Sequence, residues 1–174
     1  MRTGALVSAA AVGLALLAGC GSTPEPAAGH PTGAGDPQAV PAAAVPGGRL
    51  SSGPFTLLPT APQGYEGVAG TAEMARHDGG TTVTVTFTGL RPDTDYVSHV
   101  HSGQCAEGGG PHFRIDPAGS EMPPNEIHLK FRSDASGAAT ATAENPTVVG
   151  ADARAVVVHP ADLMDNRVAC APLS

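Results

Sequence analysis

The sequence predicts an all-β domain, an antiparallel sandwich or barrel, behind an apolar leader and a proline-rich stretch. Three observations predict it. Glycine (23) and proline (17) are abundant in a chain of 174 residues, a load that opposes long helices. From about residue 53 onward, short segments alternate apolar and polar residues with the two-residue period of strands. Gly, Pro and Asp clusters separate those segments, and no helical period of useful length interrupts them. The length suits one domain. With aromatics at 3% and no Trp, its core must be built mostly from Val, Leu, Ile and Ala.

The elements follow in chain order. Met1-Arg2 is a short positive start, and residues 4–19 are apolar, small and uncharged. That run falls short of the roughly 20 apolar residues of a membrane span and suits the hydrophobic region of an export signal. It ends in Leu17-Ala18-Gly19-Cys20, which resembles the bacterial lipobox. The resemblance implies that residues 1–19 are removed, that Cys20 is lipidated, and that the protein is anchored to the outer face of the cell membrane. The alternative is a plain secretory leader that happens to contain a cysteine. Residues 20–52 are rich in Pro, Ala, Gly and Ser without periodicity, so they read as a disordered tether. His30 lies in that tether and reads as a bystander. Residues 53–174 are the expected β-domain.

Within the domain, Val68–Arg76 is a weak strand candidate and Thr81–Thr88 a strong one. His77-Asp78-Gly79-Gly80 is the hairpin turn between them, with His77 exposed to solvent. Asp93–His101, Glu126–Arg132, Ala138–Ala143, Ala153–His159 and Asn166–Leu173 complete a pattern of about eight strands.

Charge and histidine content narrow the function. The formal net charge is −7, with 9 Lys and Arg against 16 Asp and Glu. Generic nucleic-acid binding needs clustered positive charge and is excluded. Seven histidines stand beside a single lysine, and histidine is the commonest metal ligand. His99-Val100-His101 puts two imidazoles on one face of a strand, close enough to share a metal. Cys105 follows, then Gly108-Gly109-Gly110-Pro111-His112-Phe113, where a glycine turn can return a third histidine. Val157-Val158-His159 ends another strand, and Arg167-Val168-Ala169-Cys170 lies near the C-terminus.

In that order, these motifs resemble the copper–zinc superoxide dismutase family over about residues 64–174. The resemblance implies an eight-stranded Greek-key β-barrel. It implies that His99, His101, His112 and His159 bind copper and that Cys105 and Cys170 form a disulfide. Arg167 would guide superoxide, and His112, which in the family bridges to zinc, would carry protons. The implied activity is copper-dependent disproportionation of superoxide to oxygen and hydrogen peroxide. With Cys20 lipidated, Cys105 and Cys170 remain as an even pair in an oxidising compartment. Two free thiols acting as copper ligands are the alternative.

Two departures qualify the resemblance. Zinc-containing members carry two further histidines after G-P-H-F and an H-x-x-D motif. Here only His128 lies between His112 and His159, and Phe131 stands where the Asp should be. Zinc is therefore expected to be absent, with His128 an ordinary strand residue. Asp116, Glu121 or Glu126 could instead hydrogen-bond the free nitrogen of His112. Between His159 and Arg167 lie only seven residues, where the zinc-containing family has a long electrostatic loop. This implies an open copper site, and Asp162 could stand in for a second-shell Asp. The competing reading is a copper-binding lipoprotein that sequesters the metal with little dismutase activity. A weaker one is a sandwich used for surface interactions.

Overall fold

In the computed structural model, the described residues are Met1 and 38–174. The leader, Cys20 and His30 lie outside them. Among the described residues, nine strands form two antiparallel sheets. The first has the order β1-β3-β4-β7, from β1 (Arg49–Pro54), β3 (Ala69–His77), β4 (Gly80–Thr88) and β7 (Ala139–Asn145). The second has the order β2-β9-β8-β5-β6, from β2 (Thr56–Leu57), β9 (Ala169–Pro172), β8 (Ala155–Pro160), β5 (Asp95–His101) and β6 (His128–Arg132). The chain leaves the first sheet after β4, builds β5 and β6 in the second, and returns with β7 to lie beside β4. This is a Greek-key β-sandwich, as the sequence implied. Among the described residues no helix is long and apolar enough to cross a membrane.

The core lies between the sheets. Ala72 and Met74 of β3 and Val83, Val85 and Phe87 of β4 meet Tyr96 and Val100 of β5, Leu129 of β6 and Val156 and Val158 of β8. Few aromatics are available, and they stack in series: Phe87 on Phe131 at 5.4 Å and Phe131 on Tyr96 at 5.7 Å between centroids.

Two expectations are corrected here. Residues 42–52 are not tether. Ala42–Ala44 form a 3-10 turn in which the Ala42 N–H donates to Thr84 Oγ1 at 2.9 Å, and β1 pairs with β3 from Arg49↔Arg76 to Pro54↔Thr71. Six residues without apolar alternation become a strand because β3 offers an edge to pair with. The same N-terminal segment explains why Thr84 is buried, although β4 alternation put it in solvent. Thr84 and Thr142 share a 2.8 Å hydroxyl contact beneath it. His77 closes β3 instead of standing free in the turn. Its Nδ1 accepts from the Gly79 N–H at 3.2 Å, so Nε2 carries the proton toward Thr82 Oγ1 at 3.1 Å.

Candidate metal centre

The second sheet separates its two faces by strand alternation. Tyr96, Val100, Leu129, Val156 and Val158 point into the sandwich. The intervening residues, His99 and His101 of β5, His128 of β6 and Val157 and His159 of β8, point to the other side. Register brings them together: His99 faces His128 on β6 and Val157 on β8, while Val97 faces His159.

The third imidazole arrives through the glycine turn. The Gly103 N–H donates to Gly109 O at 2.8 Å, and Phe113 N–H to Val100 O at 2.9 Å, so His112 lands opposite His101. Gly109 is required where it stands. Its φ is +90°, and a Cβ there would lie 2.5 Å from Val157 Cγ2 and 3.3 Å from the His101 ring.

One nitrogen from each of His99, His101, His112 and His159 lies within 4.8 Å of the others. The free nitrogens show which atoms could bind a metal. His101 Nδ1 donates to the Gly110 carbonyl at 3.0 Å, which leaves Nε2 buried without a partner. His99 Nδ1 and both nitrogens of His159 are likewise buried and unpartnered. Buried polar atoms without partners are costly, and a metal would satisfy one nitrogen of each of these rings at once. Four imidazoles also form a donor set suited to copper. Burial, reinforced by neighbouring histidines, pushes His99 far below the ordinary imidazole range. Burial likewise brings His101 down to about 3 and His159 to about 4. All three are thus held neutral, the state that ligates.

Of the three acidic residues expected as partners for His112, only Glu126 is one, and Asp162 does not take a second-shell place. It is 2% exposed, and its Oε2 accepts from His112 Nδ1 at 2.9 Å and from His128 Nε2 at 2.8 Å. This directs His112 Nε2 toward the other three imidazoles. Asp116 instead closes a turn by accepting from the Ala118 N–H, Glu121 reaches Arg114 at 3.7 Å on the surface, and Asp162 is exposed. Sequence reasoning named Glu126 but could not single it out. The signal was available in its spacing from His128, because Glu126 and His128 are two apart beside a strand edge and share a side.

His128 is therefore more than an ordinary strand residue. It is buried, its ring meets His99 edge-on at 4.3 Å, and with His112 and Glu126 it forms a second group whose ligand atoms lie within 4.8 Å of one another. Phe131 could not complete an H-x-x-D here. Positions three apart on a strand face opposite sides, and Phe131 packs against the core.

Cys105 and Cys170 form a disulfide with Cα atoms 5.5 Å apart, which removes them as thiol ligands. It ties the loop carrying Gly108 to the segment carrying Arg167, whose Nη1 donates to Gly108 O at 2.6 Å. A groove of about 470 Å³ lies beside the cluster, with His99 and His128 on its floor and the short 160–166 turn along one wall.

No family model and no curated protein matches the chain. Among solved structures, the copper–zinc superoxide dismutase from Brucella abortus is similar in fold. It has a TM-score of 0.51 and 17% identity, covering 72% of this chain and all of that one. The chain thus has the superoxide dismutase fold, and its buried histidines gather on the outer face of the second sheet.

Proposed function

We propose that this protein is a copper-dependent superoxide dismutase, exported and held at the membrane by a lipid on Cys20. The observation that carries the reading is the set of imidazole nitrogens converging from two strands and one glycine turn, those of His99, His101 and His159 buried and unpartnered. His99, His101, His112 and His159 would hold the ion, and bound copper would supply a one-electron couple accessible from both oxidation states. Two superoxide anions and two protons then yield one oxygen and one hydrogen peroxide.

The chain's own residues divide the remaining work. Glu126 holds the Nδ1 proton of His112, so proton exchange with solvent falls to Nε2 on the side of the cluster. Arg167 keeps one arm on Gly108 O, which fixes its guanidinium beside the glycine turn with its other nitrogens free for a small anion. The Glu126 carboxylate orients His112, the part that zinc plays in the family the motifs resemble.

A copper-sequestering protein is the competing reading. The net charge of −7 and the buried carboxylate at His112 favour it, because both oppose approach of an anion. Loading the full chain with one copper and following superoxide decay decides between them. Rapid decay that falls in Arg167→Ala with copper retained supports the enzyme. Full occupancy with no decay above the apoprotein background establishes sequestration.

A further inference from the structure

The groove beside the cluster contains a feature that dismutation does not use. The chain has four methionines. Met74 is wholly buried in the core, whereas Met122 is 56% and Met164 42% exposed. Both exposed methionines line the same groove, whose floor is His99 and His128. They come from different loops. Met122 precedes Glu126, and its carbonyl accepts from the N–H groups of Asn125 at 3.0 Å and Glu126 at 3.3 Å. Met164 lies in the turn after His159, between hydrogen bonds from Leu163 N–H to Pro160 O and from Asn166 N–H to Leu163 O. Its backbone is close enough to His159 to act on that ring electrostatically. Both backbones are therefore anchored, while both thioethers stay open to solvent at the edge of the histidine cluster.

Thioether sulfur selects Cu(I) over harder ions, and two thioethers from separate loops share this groove with His99. We propose that Met122 and Met164 form a landing site that captures Cu(I) and passes it along the groove to His99. The inference rests on the four-histidine copper reading. Capture is ligand exchange alone: sulfur lone pairs replace the donor's ligands, imidazole nitrogens then replace sulfur, and no electron is transferred. Lys130 also lines the groove, two residues along β6 from His128, and it sets the end at which a cation would not linger.

The test uses the full chain as apoprotein, with Cys20→Ser to remove the thiol outside the disulfide and ¹³C-methyl methionine as reporter. Ag(I) serves as a redox-inert probe. The Met122 and Met164 methyl signals are expected to move together within the first equivalent, while Met74 stays in place as the internal control. In a second arm, Cu(I) held by a chromogenic chelator is transferred to the chain. Transfer should slow several-fold in Met122→Leu/Met164→Leu, a swap that keeps volume and apolarity, with final copper per chain unchanged. Methyl signals that do not move, or equal transfer rates, overturn the landing site. If the methyls respond but the chain retains no copper, the four-histidine reading fails and the landing site that serves it falls with it.

Discussion

Removing the Cys105–Cys170 bridge should damage stability and the metal centre together, and the two effects can be separated. The bridge spans 65 residues. Closing a loop of that length in the unfolded chain corresponds to about 4 kcal/mol in the chain-entropy treatment. Cys170 is fully buried against Val157 and Ala155, so a Cys105→Ala/Cys170→Ala variant loses the cross-link while keeping a small apolar residue inside. Guanidinium unfolding of the apoproteins, analysed as two-state, should show a loss of about 4 kcal/mol. Locally, the 3-10 turn Cys105–Glu107 and the glycines after it lose their covalent tie to β9, leaving the Arg167–Gly108 contact on that side and the hydrogen bonds to β5 on the other. That loop supplies the Gly110 carbonyl to His101 Nδ1 and delivers His112, so copper transfer to an external chelator should accelerate. A destabilisation below about 1 kcal/mol would refute the loop-entropy reasoning. Full destabilisation with unchanged copper release would refute the claim that the bridge positions the glycine turn.

Three further predictions follow from particular contacts. Glu126→Ala removes the one acceptor shared by His112 and His128; the copper-loaded protein should show an altered Cu(II) electron paramagnetic resonance spectrum, and the apoprotein should lose about 2 kcal/mol in urea unfolding. His101 and His159 have folded-state values of about 3 and 4, below the unfolded imidazole value, so their contribution to apoprotein stability is complete above about pH 6.5 and is lost as pH falls through that range toward 4 and 3; unfolding curves that stay flat from pH 7 to about 4 would contradict the burial of neutral imidazoles. A chain beginning at residue 53 lacks Arg49, Leu50, Ser51 and Ser52 of β1 and the Ala42–Thr84 bond, so it should melt well below the full chain, by about 3 kcal/mol or more of lost pairing; equal melting would show that β1 adds nothing.

The strands with an apolar run or alternation of their own were legible in the sequence, and β1 and β2 were not. Thr81–Thr88 is found as β4 because Val83, Val85 and Phe87 recur every second residue. β1 was invisible because Arg49–Pro54 has no apolar period; its stability comes from the β3 edge, and a partner edge does not register in local sequence. The candidate ligands were legible because they lie in short motifs at strand ends. His99 and His101 are fixed by alternation within one strand, and His112 by a glycine turn whose close approach leaves no room for a Cβ. Glu126 and His128 were harder to place. Their roles depend on β6 pairing with β5 so that His128 sits beside His99, a register between distant segments that no local pattern specifies.

The carboxylate at His112 alters the electrostatics as well as the geometry. In a site with a second dication, the bridging imidazole is oriented by positive charge, which also attracts an anionic substrate. Here Glu126 provides the orientation with negative charge, buried and close enough to hydrogen-bond the ring. On the dismutase reading proposed above, attraction for superoxide would then come from copper and from cations near the groove. Arg167 is one, positioned by Gly108 O, and Lys130 on the groove is another. On the same reading the short turn from Pro160 to Asn166 would partly compensate, by leaving less chain between solvent and the groove beside the cluster. Lengthening that turn without adding positive charge should therefore slow superoxide decay in the copper-loaded chain and leave copper content unchanged. A rate insensitive to such an insertion would mean that access does not compensate for the missing charge.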